Sequence, residues 1–392
     1  MDADAALALR LILAIGTALL LTFTVGRALM RLDWRGAGVV GGVCAGIALG
    51  PLVFGNLSPT FYEQLNEGGV AERETLEAFI VQRAVDEAAL AEVGVSEVAL
   101  SEAEIQNDAR EGRLRSELAI ELARFKAAPL GGAAVLGLIY LMLGSWLGFG
   151  LCLSGLRIGA LAGLIAVLIW AVVSRKVMGV GLTESVLAGA LITGGTCWSR
   201  GRWRHSTGLG SVLLVLAVGA VAGAAHAAWT ACVAVALGAM LSRTSRLSMH
   251  ARARWSFAAH AVLAPSAIAL LVSLFNLTPR TDLIAFVLVA GVFAGDAHLI
   301  AAWIAMGWQA TGRRRDLPIS SWTGVYSQGW TGTSLMIAGL VFASGALETQ
   351  TPIGGAIGLA VAFHAVFAEL TRPATSRLLA SMRQDRRVIT RP

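Results

Sequence analysis

The sequence predicts an all-α polytopic membrane protein with about eleven transmembrane helices and a helical insert outside the membrane. Three observations carry that expectation. The 392 residues are 56% hydrophobic and 14% charged, with a mean hydropathy of +0.69. A soluble domain of that composition would expose apolar surface it cannot cover. The apolar residues fall into runs of about 20, the length that crosses a hydrocarbon core about 30 Å thick. Forty-five glycines suit helices that approach one another closely.

The runs lie at 6–29, 36–57, 130–151, 155–173, 184–199, 207–223, 225–242, 255–277, 281–309, 322–345 and 352–371. The first, Ala5 to Leu29, is too long for a signal-peptide core and lacks a small-x-small cleavage site, so it reads as a retained span. Only Gly223 to His226 separates the sixth run from the seventh. Four parts follow: 1–62 with two spans, an acidic insert at 63–128, the remaining spans at 129–373, and a basic tail at 374–392.

Charge supports this division. Between Glu63 and Lys126 stand 15 acidic and 7 basic residues, a net of −8, against +14 in the remainder. Arginine clusters follow the first, fifth, seventh, ninth and last runs, at Arg27 to Arg35, Arg200 to Arg204, Arg243 to Arg254, Arg313 to Arg315 and Arg372 to Arg391. All follow odd-numbered runs, so all fall on one side. The positive-inside rule makes that side the cytoplasm, with the N-terminus outside, the C-terminus inside and the basic loops facing anionic lipid. Arg175 and Lys176 are the exception, and Arg10 is expected to snorkel from the first span.

The insert falls outside. Leu114, Leu118, Leu122 and Phe125 share one helical face, and Leu76, Phe79, Ile80 and Arg83 form a second stripe. "GVSEVALSE" connects them, which predicts a helical hairpin or long extended helices. Packing on itself or a neighbouring copy is the plainer role for this hairpin, and an unknown partner the alternative.

Four scattered cysteines without a CxxC spacing support neither a metal site nor a disulfide framework. No nucleotide loop is present, and the basic clusters lack the aromatic interleaving of a nucleic-acid surface. The expectation is no enzyme, no cofactor and no nucleic acid.

"VCAGIALGPLVFGNLSP" has Gly50-Pro51 in mid-span and Pro59 at its end. A break there frees backbone groups that need partners at membrane depth. The stretch resembles the "GxxLGPxxLG…P" signature of the sodium/proton exchanger superfamily, in its potassium-efflux-like branch. "VLGLIYLMLGSWLGF", "LTESVLAGALITGGTCWS", "GVYSQGWTGTSLMIAGLVFASGAL" and "TPIGGAIGLAVAFHAVFAELTRP" continue the resemblance in order, over most of the chain except the insert. It implies inverted repeats, two unwound crossing helices, a homodimer in the bacterial inner membrane, and a monovalent cation and a proton as ligands. Helix breaks are implied at Gly50, Pro51 and Gly329. Thr193, Gly194, Gly195, Thr196, Ser327 and Gln328 would line the ion site.

One departure stands out. The exchangers carry an acid on the helix after the first crossing segment, and "STGLGSVLLVLAVGAVAGAAH" has none. The ninth run holds Asp296 and His298 near its middle, where a charge is costly and a functional role is the default. These two lie about 200° apart on a straight helix, unless Gly291 and Gly295 bend it. Asp296 is therefore the candidate titratable acid, with the alternative that the pair is a buried polar feature bonded to neighbouring helices. Glu184 reads as a helix cap, and His226, His260 and His364 as satisfied polar groups. Three readings stay open: a cation:proton antiporter, a non-transporting scaffold that binds a partner through its insert, and an anion transporter on the same scaffold.

Overall fold

The computed structural model describes residues 3–31, 34–66, 68–93, 97–144, 153–194, 249–275, 281–309 and 351–389, with short pieces between 213 and 237. Among the described residues every element is helical. Five segments are long and apolar enough to cross a membrane: Ala5–Ala28, Gly36–Gly55, Ser101–Ile139, Leu156–Met178 and Pro352–Thr371. The chain is thus an all-α membrane protein with several spans. The runs at 207–242 and 322–345 lie wholly or mostly outside the described residues.

The helices are α1 (Ala3–Ala28), α2 (Trp34–Leu49), α3 (Pro59–Asn66), α4 (Val70–Val93), α5 (Glu97–Gly144), α6 (Leu153–Met178), α7 (Leu182–Gly194), α8 (Met249–Ala258), α9 (Ala264–Val272), α10 (Thr281–Gln309) and α11 (Pro352–Ile389). They form two compact units. One takes Met1–Arg10 and Phe54–Pro129, the other Leu11–Val53 and Leu130–Pro392.

In the first unit α4 and α5 are antiparallel. Arg83 Nη1 reaches Asp108 at 2.7 Å and Glu111 at 2.9 Å, and its Nε reaches Glu87 at 2.6 Å. Nearer the base, Gly69 sits under Leu118 and Leu122, and Gly68 under the Phe125 ring. Both glycines have positive φ, +67° at Gly68 and +64° at Gly69, which lets the chain turn out of α3. The Gly68 amide closes that turn on the Glu63 carbonyl at 3.0 Å. The Leu114–Phe125 stripe therefore faces inward, while Ile80, expected on the inner stripe of α4, is exposed. Ile80 lies next to Phe79 rather than a full turn from it, and a two-helix hairpin is too narrow to cover both.

Arg10 corrects a further expectation. It does not snorkel; it is 6% exposed. Pro129 lies inside α5 and has no N–H to return to the Phe125 carbonyl four residues back. Arg10 Nη1 donates to that carbonyl at 3.2 Å, and Nη2 donates to Asn66 Oδ1 at 2.5 Å. A freed backbone acceptor thus holds the guanidinium inside.

The second unit is built on close helix contacts. Gly38, Gly42 and Gly46 recur every fourth residue on α2 and lie against the His260 carbonyl, Pro265 and Val272. Before α9 the chain makes a π-turn over Ala259–Leu263, and the Ala264 amide reaches the Ala259 carbonyl, five residues back. Pro265 explains the slip, since it cannot donate to Ala261. Pro51 opens a second π-turn, Pro51–Gly55, and the Gly50 amide takes the Ile47 carbonyl at 3.3 Å. Ring-on-glycine contacts fix α11: Phe275 lies on Gly358, and Phe363 on Gly291 of α10.

Candidate functional site

The residues of interest in the second unit sit on α6, α7, α10 and α11. Helices α6 and α7 are an antiparallel pair joined at Gly179, whose φ of +68° ends α6 and whose amide returns to Arg175 at 3.1 Å. The carboxylate of Glu184 accepts from the Gly181 amide at 3.2 Å, so Glu184 caps α7. Gly189 then lets α7 close onto Val167 and Ala171 of α6.

Thr193 is fully buried in the last turn of α7, and Gly194 is the final residue of that helix. Gly195 and Thr196 lie outside the described residues, as do Ser327, Gln328 and Gly329. On the α6 side the Trp170 Nε1 and the Ser174 hydroxyl are buried and have no hydrogen-bond partner among the described residues.

Asp296 and His298 lie on α10, which runs as one α-helix through Gly291 and Gly295. Their backbone is helical, and their side chains lie outside what is described. Helix α10 packs against α6 and α11. On α11, His364 is 5% exposed, and its Nδ1 lies 3.0 Å from the Gly291 carbonyl. That carbonyl can only accept, so Nδ1 carries the proton. His364 is the satisfied polar group the sequence leads one to expect.

Glu369 is the residue that reading passes over. It lies five residues beyond His364 on α11 and is 2% exposed. It is the one carboxylate of the Pro352–Thr371 segment. That was the available signal, masked by Arg372 and Pro373 just after it, which make it read as the start of a polar tail. Among the described residues no cluster of three histidine, cysteine, aspartate or glutamate side chains is placed to hold a metal ion.

Helices α10 and α11 pack against one another in an apolar bundle. α10 brings Asp296 and His298 in its sequence, and α11 brings a buried imidazole and a buried carboxylate. Ionisable groups at membrane depth are costly unless paired, so they are the residues to test for function. A scan against protein-family models finds no match, and neither does a search of curated proteins.

Proposed function

We propose that this chain is a membrane transporter that exchanges a monovalent cation, Na⁺ or K⁺, for a proton. The observation that carries the reading is the packing of α11 on α10, with His364 fixed on the Gly291 carbonyl and Glu369 buried on α11, together with Asp296 and His298 in the α10 sequence. The order of Gly-Pro and Gly-Gly motifs in the sequence supports the same scaffold, with inverted repeats and crossing segments that include Thr193 and Gly194. Asp296 is an acid of the site. Cation and proton compete for the carboxylate, so each turnover moves one inward as the other moves outward.

Reconstitution into liposomes with a pH dye inside tests this. An imposed Na⁺ or K⁺ gradient shifts internal pH, and Asp296→Asn abolishes the shift. Failure of both cations sinks the reading; a shift driven only by a chloride gradient favours an anion carrier.

A second reading rests on the first unit. An open groove of about 620 Å³ runs between α4 and α5, floored by Phe79 and Leu114 and edged by Glu74, Asp86 and Arg110. No described side chain of α4 is buried, and Val81 and Ile105 are 64% and 66% exposed. A hairpin of net −8 with an unfilled groove suits a cationic amphipathic helix from another protein. On this reading the spans are a scaffold for docking.

A further inference from the structure

Helix α5 carries a second stripe, on the side away from Leu114, Leu118 and Leu122. Twelve of the 30 residues from Glu97 to Lys126 are charged. Yet Ile105, Ala109, Gly112, Ser116, Ala119 and Ala123 are all uncharged and all exposed. They recur at alternating steps of four and three, which is the seam of a two-helix coiled coil. We propose that this stripe is where two copies of the chain meet outside the membrane, α5 against α5 and in parallel.

Charge complementarity selects a second copy as the occupant. In a parallel pair, the residue flanking the seam on one helix meets the residue five positions further along on the other. Asp108 and Arg113 hold those two positions. The Asp108 side chain is 64% exposed while holding Arg83, and a carboxylate has room for a second donor. Arg113 donates to the Ala109 carbonyl at 3.4 Å and has no carboxylate partner among the described residues. Two-fold symmetry makes the Asp108–Arg113 pair twice. The next such position lays the Arg115 stem along Ile120, which is 67% exposed.

Shape and anchoring agree. Ala109, Gly112 and Ser116 are small, and a Cβ added at Gly112 meets nothing within 4 Å, so a second helix can come close there. A net charge of −8 on each hairpin keeps two copies apart elsewhere, and Glu102 and Lys126 bound the uncharged strip in its own register. Helix α5 continues unbroken to Gly144, into the apolar run that starts at 130. Copies in one membrane share an orientation, so their α5 helices run the same way. Membrane anchoring also raises the effective concentration, which suits a seam only about 27 Å long. Asn107, Arg110 and Leu114, which line the α4–α5 groove, lie on the other side of α5, so pairing leaves that groove open. The proposal does not depend on ion transport.

Disulfide cross-linking of the full chain in its membranes tests this. Ala109→Cys and Ser116→Cys should each give a dimer on mild oxidation, each cysteine joined to its own counterpart. Arg110→Cys, exposed but off the seam, should cross-link about tenfold more slowly. The wild-type chain controls for the four native cysteines, and peptide mass mapping locates the bond. Arg113→Glu should slow the Ser116→Cys reaction about fivefold at low salt and less at high salt. In an antiparallel pair centred on Gly112, like residues stand about 10 Å apart along the seam, so mixed 109–116 bonds alone overturn the parallel pairing. Equal rates at Arg110→Cys, no dimer at either seam cysteine, or capture of a different protein there overturns the proposal.

Discussion

Arg10 shows how a single residue's role is set by a distant backbone defect. Pro129 removes one amide from α5, Phe125 is left with a free carbonyl, and Arg10 fills it. Arg10→Met should therefore destabilise the first unit by about 1–3 kcal/mol, the cost of a buried acceptor left unpaired. Pro129→Ala restores the helix amide, so in that background the Arg10→Met penalty should shrink by at least half. A double-mutant cycle by thermal unfolding in detergent checks this; additive losses would mean that the guanidinium acts through Asn66 alone. Nothing in the local sequence announces the pairing. An arginine two turns into an apolar run reads as snorkelling, because its partner is 115 residues away. Glu369 was obscured differently, by the basic residues after it. Both cases turn on tertiary burial, which hydropathy along the chain does not contain.

At the scale of elements, the long helices were legible and their interruptions were not. The apolar run at 281–309 coincides with α10, because nothing within it breaks the 3.6-residue period. The run at 255–277 becomes α8, a π-turn and α9, because Pro265 shifts the hydrogen bonds by one residue without ending the apolar pattern. The α4–α5 hairpin was legible from its leucine stripe, but its ion cluster was not, since Arg83 pairs across the hairpin with residues 25 and 28 positions away. Hydrogen bonds to Glu87 and then to Asp108 push the Arg83 guanidinium above its ordinary pKa. A raised pKa gives stability that is present below the unfolded value and lost only as pH rises through the folded one, here far into the alkaline range. Hydrogen exchange of the hairpin should thus show no Arg83-dependent change between about pH 6 and 9. Arg83→Met should speed exchange across both helices at low salt, with the difference narrowing at high salt. A mutant indistinguishable from wild type in low salt would show that the cluster is ornamental to the fold.

For the whole molecule, composition alone gave the class, an all-helical membrane protein, because no soluble core can absorb so much apolar surface. Placing His364 needed packing: its contact with the Gly291 carbonyl ties α11 to α10, which hydropathy along the chain does not show. The division of labour proposed here gives the second unit the ion chemistry, whether or not the acidic hairpin also docks a cationic helix. Its central claim is competition between a proton and a monovalent cation for Asp296 on α10. The most direct measurement is proton release on cation addition, followed with a pH dye in weakly buffered detergent solution of the purified chain. Because the cation binds the deprotonated form, Na⁺ or K⁺ should release up to about one proton per chain, with release fading at high pH where the sites are already ionised. The variant Asp296→Asn should release none. A wild-type protein that releases no proton with either cation at any pH contradicts the account.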